Sequence, residues 1–430
     1  MIVEDKQPCN ISGNGLEMDG LSLTTLADRF GTPLYVTSER RLRENYRRLA
    51  EAFSSSKDGV RINYAVKANS NPAVISVLRQ EGAGADVSSI GELLVARSAG
   101  LSPEKILFSA NFAPKSELEY AALSGATLNF DSLDQFLKVA DLCTSSTVSF
   151  RINPGEGKGE YPGITTAGKD AKFGIPADRA AEAYARAKAA GVKKFGIHMM
   201  TGSNVLDETY LPRMTSILLE IASRICKGVA LKFDFVDLGG GLGVPYHADQ
   251  PPLNIAKVGR QVVEVFTSKC EEYELGNPVL TLEPGRYLVA DTTVLLGRVN
   301  SIKRYEKVFI GTDVGMNQLL RPALYGAYHE VAVANRPGEM RSLRADLVGQ
   351  ICENTDILAR DRNLPPVEEG DIVVFYDCGA YGYSMSNNYN GRPRAAEVIV
   401  SPQARAHLTR QREDNSELTR GTIVPPHLLR

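Results

Sequence analysis

The sequence predicts an α/β protein: a (β/α)8 TIM-type barrel with a C-terminal β domain. Three observations predict it. Eight short apolar runs alternate with longer segments of helical period between Ile62 and Leu282. Polar and glycine-rich residues recur just after those runs. From about Leu296 strand-like runs follow one another with few helices between them. Strands alternating with helices imply a parallel sheet, because a parallel pair needs a crossover connection. Eight such units close into a barrel whose working face is the C-terminal end of the strands.

The candidate barrel strands are Ile62–Lys67, Ala83–Ser88, Ile106–Ala110, Ala126–Phe130, Val148–Ile152, Phe195–His198, Phe233–Leu238 and Val279–Leu282. Helices are expected between them. Pro72–Gln80 and Gly91–Ser98 are short, and Ala177–Ala190 is rich in Ala, Arg and Lys with Gly191 as its stop. Asp207–Lys227 and Leu253–Tyr273 carry apolar residues at helical spacing. Beyond the barrel, Lys307–Thr312, Asp346–Ile351, Asp371–Tyr376 and Ala396–Val400 read as strands. With 430 residues the chain exceeds one small core. The division expected is a barrel over 31–295 and a β domain from 1–30 and 296–430.

Composition excludes several classes. The apolar fraction of 43% and charged fraction of 23% are those of a globular protein. A net charge of −2 gives no electrostatic footprint for nucleic acid or an acidic membrane. No run approaches the ~18 apolar residues of a spanning helix. Met1 to Gly15 lacks the apolar core of a signal peptide, so a cytoplasmic protein is expected. The six cysteines are scattered and the five histidines do not cluster, so neither a disulfide framework nor a metal site is expected.

The residues after the strands suggest chemistry. Lys67 ends the first strand, where an apolar setting would desolvate its amine and favour the neutral form that makes Schiff bases. A lysine lying along the barrel wall with its head in water is the plainer reading of Lys67 alone. Gly239-Gly240-Gly241-Leu242-Gly243 follows the seventh strand, a common barrel position for a phosphate. A tight turn is its plainer reading. Glu283 could hold a protonated pyridine nitrogen, and Arg286 offers a planar fork to phosphate or carboxylate. Without the other features, a Glu283–Arg286 ion pair would be favoured. Schiff-base lysine, phosphate loop and pyridinium carboxylate together describe a pyridoxal 5'-phosphate site.

The chain also resembles a known family, the pyridoxal-phosphate decarboxylases with an alanine-racemase-type barrel, and most closely the diaminopimelate decarboxylases. The matching segments are YAVKANSNP at 64–72, GADVSS at 84–89, KFGI at 172–175, DLGGGLGVPY at 237–246 and LEPGRYLVA at 282–290. In the β domain they are MNQLLRPALYGAYHE at 316–330, CENTDILARDR at 352–362, GAYGYSMSNNYNGRPR at 379–394 and the ending IVPPHLL. The resemblance implies that Lys67 carries the cofactor, with Asp86 near the Schiff base. It implies that Ser203, Gly240, Gly241, Gly285, Arg286 and Tyr381 surround the phosphate and that Glu283 faces the ring nitrogen. Arg286, Arg321 and Tyr325 would bind the distal carboxylate of diaminopimelate, with Tyr381 also at the substrate, and Glu353 its distal ammonium. Cys352 would protonate the carbanion. Cys352 and Glu353 would come from the partner of a homodimer.

Two positions depart from the family pattern. The run after the sixth strand is His198-Met199-Met200-Thr201-Gly202-Ser203, so Met200 stands where family members place a histidine that stacks on the cofactor ring. The usual Cys-Glu-Ser reads Cys352-Glu353-Asn354. Met200 keeps other substrates open: lysine or ornithine, a carrier-bound or citryl-linked amino acid, or racemisation. A cofactor-binding regulator without chemistry is the alternative outside enzymes. Arg321 and Glu353 favour a substrate with a zwitterionic distal end, since buried arginines left unpaired are costly.

Overall fold

The computed structural model describes residues 7–13, 15–56 and 59–429, and the chain divides into two compact units. One comprises residues 41–290, the other residues 1–40 and 291–430.

In the first unit eight parallel strands close on themselves. In chain order they are Val60–Ala65, Gly84–Val87, Ile106–Phe108, Thr127–Phe130, Thr147–Asn153, Lys194–His198, Phe235–Asp237 and Val279–Leu282. Each pairs with its successor, and Leu280–Leu282 returns to Val60–Ile62. Helices separate the strands, among them Pro72–Glu81, Ile90–Ser98, Lys115–Leu123, Ala180–Ala189, Tyr210–Val229 and Ile255–Glu272.

Helix starts follow from local sequence. Asn71 accepts from the Ala73 N–H at 2.9 Å, with Pro72 at the first helical position where no donor is needed. After the second strand, Ser89 accepts from the Glu92 N–H at 3.2 Å while Glu92 accepts from the Ser88 N–H at 2.7 Å. Ser132 and Gln135 repeat this reciprocal cap after the fourth strand. The strand ends are thereby pinned, which fixes where the mouth residues start. Beneath them Phe130, Phe136, Phe150 and Tyr184 pack mainly edge to face, and the Tyr184 hydroxyl donates to the Gly196 carbonyl at 2.7 Å.

The second unit is built on a sheet in the order Ile357–Leu364, Leu343–Val348, Val308–Thr312, Thr293–Arg304, Leu34–Ser38, Ala396–Ser401 and Arg405–Arg410. Ile372–Phe375 pairs with Thr293–Arg304 and with Val331–Val333. Successive residues of a strand face opposite sides. Leu295 and Val299 therefore enter one core with Tyr35 and Phe375, and Val294 and Leu296 enter another with Leu34 and Val36.

Residues Cys9–Ser12, Gly15–Met18 and Leu21–Ser22 form a separate antiparallel sheet, and Leu16 and Met18 join the second core. Leu34–Ser38 lies in the large sheet of this unit, although a boundary at residue 31 assigns it to the barrel. The registers Leu34↔Leu296 and Leu34↔Ala396 explain this, since both neighbours are distant in sequence. Among the described residues no helix is long and apolar enough to cross a membrane.

Candidate active site

The first barrel strand stops at Ala65, and Val66–Ala68 forms a single 3-10 turn. The Tyr64 hydroxyl donates to the Asn69 carbonyl at 2.9 Å, and Asn69 accepts from the Asn71 N–H at 3.0 Å. Most of the motif YAVKANSNP thus holds the turn that presents Lys67. Lys67 Nζ lies 2.6 Å from Asp86 Oδ2, with side chains 42% and 2% exposed. This corrects the expectation of an amine desolvated by an apolar strand. The strand ends earlier, the lysine side chain is partly exposed, and a buried carboxylate holds its head.

At the strand ends acidic side chains cluster in the interior: Asp86, Asp237 and Glu283 are all buried. His198 Nε2 is 3.1 Å from Glu283 Oε2, with both side chains buried. A carboxylate only accepts, so Nε2 bears the hydrogen. Among the described residues, Glu283 Oε1, Asp86 Oδ1, Asp237 Oδ2 and His198 Nδ1 are buried without a hydrogen-bond partner. Burial and the nearby Glu283 charge push the Asp86 carboxyl up to about 6, against the pull of Lys67. The same two causes hold Asp237 well above the carboxylate range. Burial also acts on Glu283, but His198, Lys67 and Arg151 outweigh it and keep the group below its ordinary value. Two carboxyls are thus raised above the ordinary carboxylate range while a third is held below it. Atoms of His198, Asp237 and Glu283 lie within 4.8 Å of one another, a grouping invisible in the spacing of the histidines.

The glycine run forms a braced loop. Gly239 has φ +68° and donates its N–H to Asp237 Oδ1 at 2.8 Å, while its carbonyl accepts from the Glu283 N–H at 2.8 Å. The Gly241 carbonyl accepts from the Val205 N–H at 2.9 Å. A Cβ on Gly240 would collide with the Glu283 carbonyl, and one on Gly241 would lie 2.7 Å from the Gly202 carbonyl. The glycines are required first by neighbouring backbone. Ser203 sits in the adjoining two-residue strand Gly202–Ser203. Gly285 caps the short helix Arg286–Val289, and the buried Arg286 donates to the Tyr246 hydroxyl at 2.6 Å. Glu283 pairs with His198, so the simple Glu283–Arg286 ion pair is not what the loop was built for.

Met200 lies against this loop, with Sδ 3.1 Å from the Gly240 nitrogen. Its carbonyl accepts from Arg151 Nη2 at 3.3 Å and from Thr166 Oγ1 at 3.2 Å.

The other residues singled out in the sequence belong to the second unit. Arg321 is buried and donates to His329 Nε2 at 2.8 Å, while His329 Nδ1–H donates to the Tyr376 carbonyl at 2.7 Å. Tyr325 ends the helix Arg321–Tyr325. Tyr381 has φ +58°. Cys352 and Glu353 are exposed; Glu353 accepts from the Tyr389 hydroxyl at 2.6 Å, and the Cys352 N–H donates to Asn390 Oδ1 at 3.2 Å.

Sequence reasoning gave no role to His198, Asp237, Arg151, Tyr246 or His329. A polar residue at the end of an apolar strand was the available signal for His198 and Asp237.

The family model described as "Pyridoxal-dependent decarboxylase, pyridoxal binding domain" matches residues 39–290. A relative from Methanothermobacter thermautotrophicus named diaminopimelate decarboxylase is 43% identical, covering 96% of this chain and 97% of its own. The chain belongs to the diaminopimelate decarboxylase family. A second family member so named, from Pseudomonas aeruginosa, is 38% identical over 95% of this chain and 97% of its own. The solved diaminopimelate decarboxylase of M. jannaschii in complex with L-lysine superposes with a TM-score of 0.91 at 33% identity, covering all of both chains. The family is one of carboxy-lyases, and its cofactor is pyridoxal phosphate.

Proposed function

We propose that this chain decarboxylates meso-2,6-diaminopimelate to L-lysine and carbon dioxide. The observation that carries the reading is Glu283 Oε1, a buried oxygen of a charged carboxylate with no donor among the described residues. Such an atom costs about 1–3 kcal/mol or more unless something donates to it. A protonated pyridine nitrogen is a fitting donor. The amine of Lys67 and the glycine loop open at the same end of the barrel. The residues present therefore fit pyridoxal phosphate.

When bound, the cofactor supplies an electron sink for breaking the bond to the carboxylate. The chain's residues do the rest. Lys67 Nζ would hold the cofactor through its aldehyde. Asp86 steadies the Lys67 head. Glu283, fixed by His198, keeps the ring nitrogen protonated. The loop at Gly240 and Gly241, with Ser203, Gly285, Arg286 and Tyr381, takes the phosphate. Arg286, Arg321, Tyr325 and Tyr381 recognise the substrate, the arginines through its distal carboxylate, and Glu353 takes the distal ammonium. The Cys352 thiol returns a proton to the α-carbon. Cys352 and Glu353 serve this role from a second copy in a homodimer, a reading supported by their exposure. Six free cysteines support a reducing cytoplasm as the setting.

The test uses purified protein with pyridoxal phosphate and meso-diaminopimelate, following lysine and carbon dioxide together, with lysine and ornithine as parallel substrates. Stoichiometric products that vanish in Lys67→Ala support the proposal. Turnover of lysine or ornithine alone overturns the substrate assignment and leaves the cofactor in place. Absence of any Schiff-base absorbance in the protein overturns the enzyme reading.

A further inference from the structure

Two amides of the glycine loop have side-chain acceptors beneath them. Gly239 donates to Asp237 Oδ1, and Gly240 donates to Met200 Sδ at 3.1 Å. The sulfur is fitted to its place. A Cβ on Gly239 would lie 2.9 Å from Sδ, and one on Gly240 would lie 3.8 Å from Met200 Cε. The Met200 backbone is anchored as well, since its carbonyl accepts from Arg151 and Thr166.

We infer that Met200 is a positioning residue for the phosphate loop, its thioether holding the Gly240 N–H until an anion takes it. A thioether is a weak acceptor. It satisfies a half-buried donor, yet it competes poorly with a phosphate oxygen, whose hydrogen bonds are charge-assisted and roughly twice as strong. The loop is thus shaped before the cofactor arrives and gives up little when it binds. This role differs from stacking on a ring, because it operates in the protein without cofactor. The affinity part of the inference rests on the proposed cofactor site; the loop part does not.

The test compares wild type, Met200→Leu and Met200→Gln as full-length chains. Leucine keeps a similar apolar volume and removes the acceptor. Glutamine keeps the length and offers a carbonyl. Two quantities are read: hydrogen exchange of the 236–244 segment in cofactor-free protein, and pyridoxal phosphate affinity by absorbance titration. In Met200→Leu exchange is expected to rise roughly three- to tenfold from one lost hydrogen bond, while the dissociation constant stays level or falls by up to a similar factor, because the lost bond is made only before the anion binds. Met200→Gln is expected to restore the slow exchange. Unchanged exchange in Met200→Leu overturns the inference. So does loss of protection in a folded Met200→Gln, which would mean that sulfur acts by packing. If Met200→Leu does not fold, Met200→Gln alone decides, by keeping or losing protection. Failure of every variant and of wild type to bind pyridoxal phosphate refutes the proposed function instead, while the exchange data still decide the loop role.

Discussion

Lys67 Nζ and Asp86 Oδ2 stand 2.6 Å apart, the lysine side chain open to solvent and the aspartate buried. The pair is asymmetric in consequence. Asp86 bears the burial, with its second oxygen Oδ1 lacking a partner among the described residues, and its carboxyl is pushed up to about 6.

That shift predicts a pH effect on stability. The folded-state value is raised, so between about pH 4 and 6 the folded protein holds a proton that the unfolded chain has lost. The stabilisation from this group is therefore full below the unfolded value and is lost as pH rises through about 6. Its size is on the order of 3 kcal/mol. Melting curves of cofactor-free wild type and Asp86→Asn between pH 4.5 and 7.5 check this. The difference between them is expected to change across the window; parallel curves would contradict it.

Glu283→Gln keeps an acceptor for the His198 N–H and removes the charge. The fold should survive with a melting temperature close to wild type. Turnover is expected to fall about 10²- to 10³-fold, since the ring nitrogen loses its anionic partner. Steady-state kinetics with saturating cofactor are the check. A loss below tenfold would show that Glu283 does not act on the ring.

Asp237 favours its neutral form and accepts from the Gly239 N–H. Asp237→Asn preserves both features and is expected to change stability by less than about 1 kcal/mol. Asp237→Ala removes the acceptor and should cost about 1–3 kcal/mol. Chemical denaturation of the two variants measures the contrast. Equal losses would refute a neutral Asp237.

In the β unit, His329 joins Arg321 to the Tyr376 carbonyl. His329→Ala removes both bonds and is expected to lower stability by roughly 2–4 kcal/mol. If Arg321 binds the substrate's distal carboxylate, KM should rise about tenfold with a smaller change in kcat. Kinetics at a temperature where the variant stays folded separate the two effects.

The barrel was legible because its strands are apolar and its loops are punctuated by glycine, proline and caps. Periodicity reports such local features well. It does not report partners across the chain. A boundary at residue 31 leaves Leu34–Ser38 with the barrel until the pairings Leu34↔Leu296 and Leu34↔Ala396 are known. The same limit applies at the mouth. Lys67, Glu283 and the glycines announce themselves by type and place. His198, Asp237 and Arg151 acquire meaning only from what surrounds them in the folded pocket, where burial turns ordinary polar residues into coupled ones.

The hydrogen bond from the Glu283 N–H to the Gly239 carbonyl, 2.8 Å long, welds the loop after the seventh strand to the start of the loop after the eighth. Gly240 is pressed against the same Glu283 carbonyl. The separation between the backbone of the glycine loop and that of Glu283 is consequently set by main chain. The mouth works as a fixed gauge. A cofactor analogue longer or shorter by a single methylene is expected to seat less well against that fixed spacing.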